Sequence, residues 1–273
     1  MFDATAIEKL TEAQSIGAAA AATAAGLAMG AVALPDSYTI HDLEKMQETR
    51  RRARGVMGTS VIADFATYVL QHKEEGATVF IDPDAMTATA VLNLGTPDAP
   101  GHADNIAKLG LKRTAAYAAL RNIATGAGHK QATMAEFFED WPSELQFFND
   151  EGAIAAPKAI AAIRKVTIEA LRKLESTEQS LSASKSTFEA VTASSSEPIP
   201  TTIYFNCVPY ADLTARTFVM RLTIGTGGEK PTIGLRIVKQ EEHDEEMARE
   251  LAALVVEAVP ETPALIGSYS ART

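Results

Sequence analysis

Two β-rich runs, ATVFID and MTATAVLNL, flank a turn carrying Asp82, Pro83 and Asp84, and PGHADN follows close behind with His102 and Asp104 two positions apart. On an alternating strand His102 and Asp104 share a face, and a carboxylate so placed orients an imidazole. A general base or a metal ligand needs that arrangement, but a structural His–Asp pair has it as well. Of the five histidines, two more have acidic neighbours: His41 with Asp42 in IHDLE, and His243 in EEHDEE among Glu241, Glu242, Asp244, Glu245 and Glu246. None has the two-histidine helical spacing of a metalloprotease, and there is no CxxC. The run GTGGEKP (225–231) contains Lys230 but lacks the phosphate-loop spacing and reads as a hairpin turn; no GxSxG is present. These residues predict a structural role for His102 and Asp104, a solvated helix start around His243, no metal, no cofactor and no enzyme.

Composition narrows the partners. The 273 residues suffice for one large domain or two modest ones, and 46% hydrophobic with 22% charged residues is ordinary for a globular chain. A net charge of −10 disfavours sequence-independent nucleic-acid binding, which depends on Lys and Arg neutralising phosphates. The single cysteine, Cys207, lies in the strand-like run TTIYFNCVPY and has no internal disulfide partner, which fits a reducing compartment and a buried, inert thiol. The stretch 15–34 carries no charge, yet alanine and glycine dominate it and give little transfer energy. It is preceded by Asp3, Glu8 and Glu12 against Lys9, unlike a signal peptide. Residues 5–30 therefore read as an Ala-rich helix or arm that packs closely on another surface, with no membrane insertion.

The positioning elements follow from periodicity. TSVIADFATYVLQHK (59–73) repeats apolar residues at Ile62, Phe65, Ala66, Val69 and Leu70, predicting a helix capped by Thr59 or Ser60. The two runs around Asp82–Asp84, with NIAKLGLKR (105–113), predict a hairpin or three-stranded ribbon of small residues. TAAYAALRNI is a short helix. QATMAEFFEDW (131–141) starts another, with Thr133 as cap and Glu136 in the capping-box position. Residues 157–177 carry an apolar stripe from Ile160 to Leu174 behind Pro157. STFEAVTASSS, TTIYFNCVPY, ARTFVMRLTIG and KPTIGLRIVK read as four strands, and 240–259 as a helix with acid at its N-terminal end. The order is α+β, without βαβ alternation.

The motifs ALPDSYTIHDLEK, RRRARG, DFATYVLQH, ATVFID, ATAVLN, PGHADN and MAEFFEDW, in that order over residues 33–141, resemble the YfdQ family of phage and prophage proteins. The resemblance implies the cytoplasm of a phage-infected or lysogenic bacterium and carries over no catalytic residue. The element order also resembles the tailed-phage major-capsid (encapsulin-like) fold. That likeness implies an N-terminal arm (1–34), an extended segment and helix (35–76), an extended β-hairpin loop (77–113), and spine helices with a mixed α/β domain (114–273). The spine would be 131–148 or 157–178. The function so implied is a non-enzymatic, self-assembling shell whose partners are copies of itself and a protein cargo. A shell of chains at −10 repels DNA unless its charge faces outward, so a compartment that does not package the genome fits better. The alternative is a phage accessory protein that binds nucleic acid through the basic run Arg50, Arg51, Arg52 and Arg54. In the shell reading those arginines are a subunit contact for an acidic neighbour, either the helix start at 241–246 or FFEDW.

Overall fold

The computed structural model describes residues 3–24, 44–165, 198–225 and 231–270. Contacts divide the chain into two units, residues 1–53 and 54–273. Within the first, α1 spans Ala4–Ala24, and a 3-10 turn covers Glu44–Met46. The alanine content makes α1 a strong local helix former that buries little by itself. Ile7, Leu10 and Ile16 are each half exposed or more.

The second unit is α+β, built on two sheets. Its elements are β1 (Gly55–Thr59), α2 (Ile62–His72), β2 (Thr78–Asp82), β3 (Thr87–Val91), β4 (Asn105–Gly110) and α3 (Ala115–Ile123). β5 (His129–Lys130), α4 (Gln131–Asp140), β6 (Leu145–Asn149), β7 (Gly152–Ile154) and α5 (Ala156–Lys165) follow. β8 (Thr202–Cys207), β9 (Arg216–Gly225), β10 (Thr232–Ile237), α6 (Gln240–Ala258) and β11 (Ala264–Ile266) complete it. One sheet has the order β1-β4-β3-β2-β11 and the other β5-β10-β9-β8-β6-β7. The second is antiparallel throughout, whereas β1 pairs with β4 and β11 with β2 in parallel.

The hairpin is where the structure departs most from expectation. It does not project. Val79, Ile81, Ala88 and Ala90 are at most 1% exposed, and β2, β3 and β4 are the three interior strands of their sheet. The runs are too short of large residues to stand alone, since isolated hairpins are marginal. They are instead supported on one face by the core that includes Phe65 and Val69 of α2. No long spine forms over 131–148 either. α4 stops at Asp140, and Trp141, restricted by the following Pro142, leaves helical geometry at φ −123°, ψ 46°. α5 is described to Lys165; the rest of the 157–178 candidate and the strand candidate STFEAVTASSS lie outside the described residues.

Two helix starts also differ. The first residue of α2 is capped neither by Thr59 nor by Ser60. Its Ile62 N–H donates to Asp212 Oδ2 at 2.9 Å, a carboxylate 150 positions along the chain. Thr59 Oγ1 takes the Val61 N–H instead. α4 begins two residues before Thr133, with Lys130 in the cap position and no side-chain cap. Leu70, counted in the apolar stripe of α2, is 41% exposed.

Candidate binding cleft

A cleft of about 560 Å³ opens in the second unit where four regions converge. The β2–β3 turn supplies Pro83, Asp84 and Met86, and the lead into α3 supplies Arg113. α3 contributes Tyr117 and Arg121, the loop after β8 contributes Tyr210, and α6 contributes Glu241, Asp244, Glu245, Met247 and Arg249. Local sequence explains the projection. Thr114 caps α3, its hydroxyl accepting from Tyr117 N–H and donating to the Val208 carbonyl at 2.6 Å. This fixes the helix beside the chain that carries Tyr210, and an isolated bridge between Arg113 and Tyr210 adds to the tie. On α6 the spacing 241, 244, 245 and 248 presents one helical face.

The floor is aromatic and apolar. Tyr117 and Tyr210 are 2% and 6% exposed with centroids 5.8 Å apart, and Tyr117 stacks on Phe218 at 5.2 Å. Met86 and Met247 are buried beside them. Above the floor Arg121 faces both oxygens of Asp244 at 3.3 Å, and Tyr117 Oη lies 3.4 Å from Oδ1. With its carboxamide oxygen turned toward Arg121, Gln240 accepts from both terminal nitrogens at 2.8 and 3.1 Å. Burial, reinforced by the Asp244 charge, pushes the Tyr117 phenol up to about 12, so it is a neutral hydroxyl at physiological pH. Burial alone would lower the Arg121 pKa, but Tyr117 and Asp244 outweigh it and the net shift is upward.

The residues singled out in the sequence are dispersed. Asp82 Oδ1 accepts from Ala85 N–H inside its own turn, while Asp84 stands on the rim of the cleft. Asp104 Oδ1 accepts from Asn93 Nδ2 at 2.9 Å, and Asn93 Oδ1 in turn accepts from the buried Asn105 N–H. These bonds close the 93–105 loop, and the exposed His102 takes no part in them. The loop is pinned further by Gly76, in the left-handed region at φ +78°, where a Cβ would fall 2.0 Å from the Gly95 carbonyl oxygen. His243 is half-buried rather than on a solvated helix start. Its ring lies 4.9 Å from Phe218 and its Nδ1 has no hydrogen-bond partner among the described residues. Cys207 is buried, and desolvation followed by the Glu144 charge pushes its thiol up to about 12, far from nucleophilic. His41, Asp42 and Lys230 lie outside the described residues. Arg50, Arg51 and Arg54 are exposed and Arg52 half-buried, in chain without regular structure before β1.

Among the described residues no three His, Cys, Asp or Glu side chains are grouped to hold a metal. No described helix is long and apolar enough to cross a membrane. The tyrosine floor escaped sequence reading because Tyr117 and Tyr210 are 93 positions apart and neither sits in a motif. The acidic run at 241–246 was the only legible signal.

Fold and cleft together define a mixed α+β protein with a charged, tyrosine-floored recess on α3 and α6. The chain belongs to the family described as an uncharacterized conserved protein, DUF2303, whose profile matches residues 3–269. No curated protein and no solved structure matches the chain.

Proposed function

We propose that the protein is a non-enzymatic, phage-encoded structural protein of the YfdQ kind, whose copies assemble into a closed, capsid-like shell that does not package the genome. The supporting observation is the pair of edge strands, β1 and β11, that no other strand covers among the described residues. Soluble proteins blunt sheet edges with Lys, Pro or bulges. Here β1 (GVMGT) and β11 (ALI) carry no charge, and Val56, Leu265 and Ile266 are 63%, 53% and 68% exposed. Two different edges offered by one chain suit a head-to-tail contact, which closes when the rotation between copies permits it. With the hairpin committed to the core, these edges and the Ala-rich α1 take over the contact role that a projecting hairpin would have played.

The test is light scattering on a sizing column, followed by negative-stain imaging. A large homo-oligomer is expected, with assembly weakened by Val56→Lys with Leu265→Lys and by deletion of residues 1–34. A monodisperse monomer at micromolar concentration refutes the proposal. A second reading, nucleic-acid binding through Arg50, Arg51, Arg52 and Arg54, draws on the exposure of three of the four. It is opposed by the net charge of −10. In that case charge reversal of the run abolishes a gel shift and leaves the particle size unchanged.

A further inference from the structure

We infer that the cleft on α3 and α6 is a receptor for guanidinium groups, and that its occupant is the Arg50–Arg51 pair of a second copy of the chain. The occupant rests on the self-assembly reading; the chemistry of the cleft does not.

The charge inventory gives the sign of the ligand. Four carboxylates line the cleft (Asp84, Glu241, Asp244 and Glu245) against three guanidiniums, Arg113, Arg121 and Arg249. Arg121 is already engaged with Asp244, and Arg249 lies 3.8 Å from Glu245 with its Nε on the Glu245 carbonyl. The side chains of Asp84 and Glu241 on the rim have no hydrogen bond or ion pair among the described residues, and of the three guanidiniums only that of Arg113 is similarly uncommitted. An entering anion would find one open cation and two open carboxylates. A cation finds the reverse balance.

The floor gives its shape. Tyr117 and Tyr210 are 2% and 6% exposed, so their rings close the floor while turning little surface outward, and Met86 and Met247 supply soft apolar wall. Over such a floor a planar guanidinium can fork its parallel N–H groups onto the carboxylates, whereas a compact ammonium is a point charge without that fork. The volume of about 560 Å³ lies in the range of ordinary ligand sites and admits more than one arginine side chain. The chain itself carries the matching group. Arg50 and Arg51 are exposed, in its densest run of cations, and a chain at −10 must neutralise carboxylate wherever copies meet.

The experiment uses the full chain carrying Arg50→Gln and Arg51→Gln, so that its own run does not compete, and a fluorescent peptide of residues 47–55 followed by anisotropy. Binding is expected to weaken about threefold with Asp84→Asn or Glu241→Gln and to tighten about threefold with Arg113→Gln, as exposed single charges do. All three sites are on the surface, and circular dichroism checks that the fold is kept. A peptide with Gln at positions 50 and 51 should bind several-fold more weakly, and one with Gln at all four arginines should not bind. Opposite signs at Asp84 and Arg113 would make the cleft an anion site and overturn the inference, as would binding indifferent to all three. Light scattering on the unmodified chain reports separately on assembly. A monomer that binds the peptide with the expected signs removes the shell and leaves the receptor. A shell whose cleft ignores the peptide does the reverse.

Discussion

Ile81→Ala tests whether residues 77–113 are core or arm. Ile81 is 0% exposed in β2, opposite Ala88 of β3 and beside Ile266 of β11. Truncation removes three carbons, about 2–3 kcal/mol at ~0.8 kcal/mol per methylene. Its cross-strand neighbour is already an alanine, so nothing there can expand into the space, and the cavity raises the total to roughly 3–4 kcal/mol. For a unit of this size that corresponds to a fall in Tm of roughly 10 °C. Thr89→Ala, on the opposite face of the same hairpin and half-buried, should stay within about 0.5 kcal/mol. Thermal and urea unfolding of both variants, with oligomer size measured alongside, decides the matter. An Ile81→Ala chain that keeps its Tm but loses assembly would show that the hairpin is a contact arm after all.

Two further outcomes follow from the polar interior. Arg216 bridges β9 to α6 through Glu246 at 2.6 Å and Glu250 at 2.7 Å, and Glu250 also accepts the Thr214 N–H. Desolvation raises the Glu250 pKa, but the hydrogen bonds from Arg216 and Thr214 prevail and hold it below the ordinary glutamate value. A depressed folded pKa contributes stability that is complete above the unfolded value, about 4.3, and fades as pH falls through the folded one. Glu250→Gln should therefore cost about 2 kcal/mol in urea unfolding at pH 7 and at pH 5.5, with the difference from the parent shrinking below pH 4; a difference that grows on acidification refutes the assignment. Asn93→Ala should cost about 2 kcal/mol, because it leaves the buried Asn105 N–H without its acceptor, whereas His102→Ala should change little. A larger loss at His102 than at Asn93 would contradict the structural role given to this loop.

Local pattern determined what local physics controls. The alternation in TVFID and TATAV, the 3.6-residue stripe of 59–73 and the acidic start of the 240–258 helix each appear as elements, and α2 buries Ile62, Phe65, Ala66 and Val69 of its stripe but not Leu70. The short strands LQFFN and GAI were missed, as was GVMGT, because three to five residues around Gly and Asn carry too little periodicity. Tertiary structure alone decided the rest. β1 and β11 join their sheet in parallel, a pairing whose partners lie about 50 and about 185 positions apart and leave no trace in either strand. The cap of α2 comes from Asp212, so a search of the preceding residues could not find it. The hairpin gave its strands correctly and its placement wrongly, since they lie inside a sheet instead of projecting. Small residues suit either a thin projecting arm or a strand packed closely under a helix, and only the position of α2 distinguishes them. The cleft shows the same division. The acid of 241–246 is a local run visible in one dimension, but the tyrosine floor beneath it exists only because the chain after β8 returns to α3.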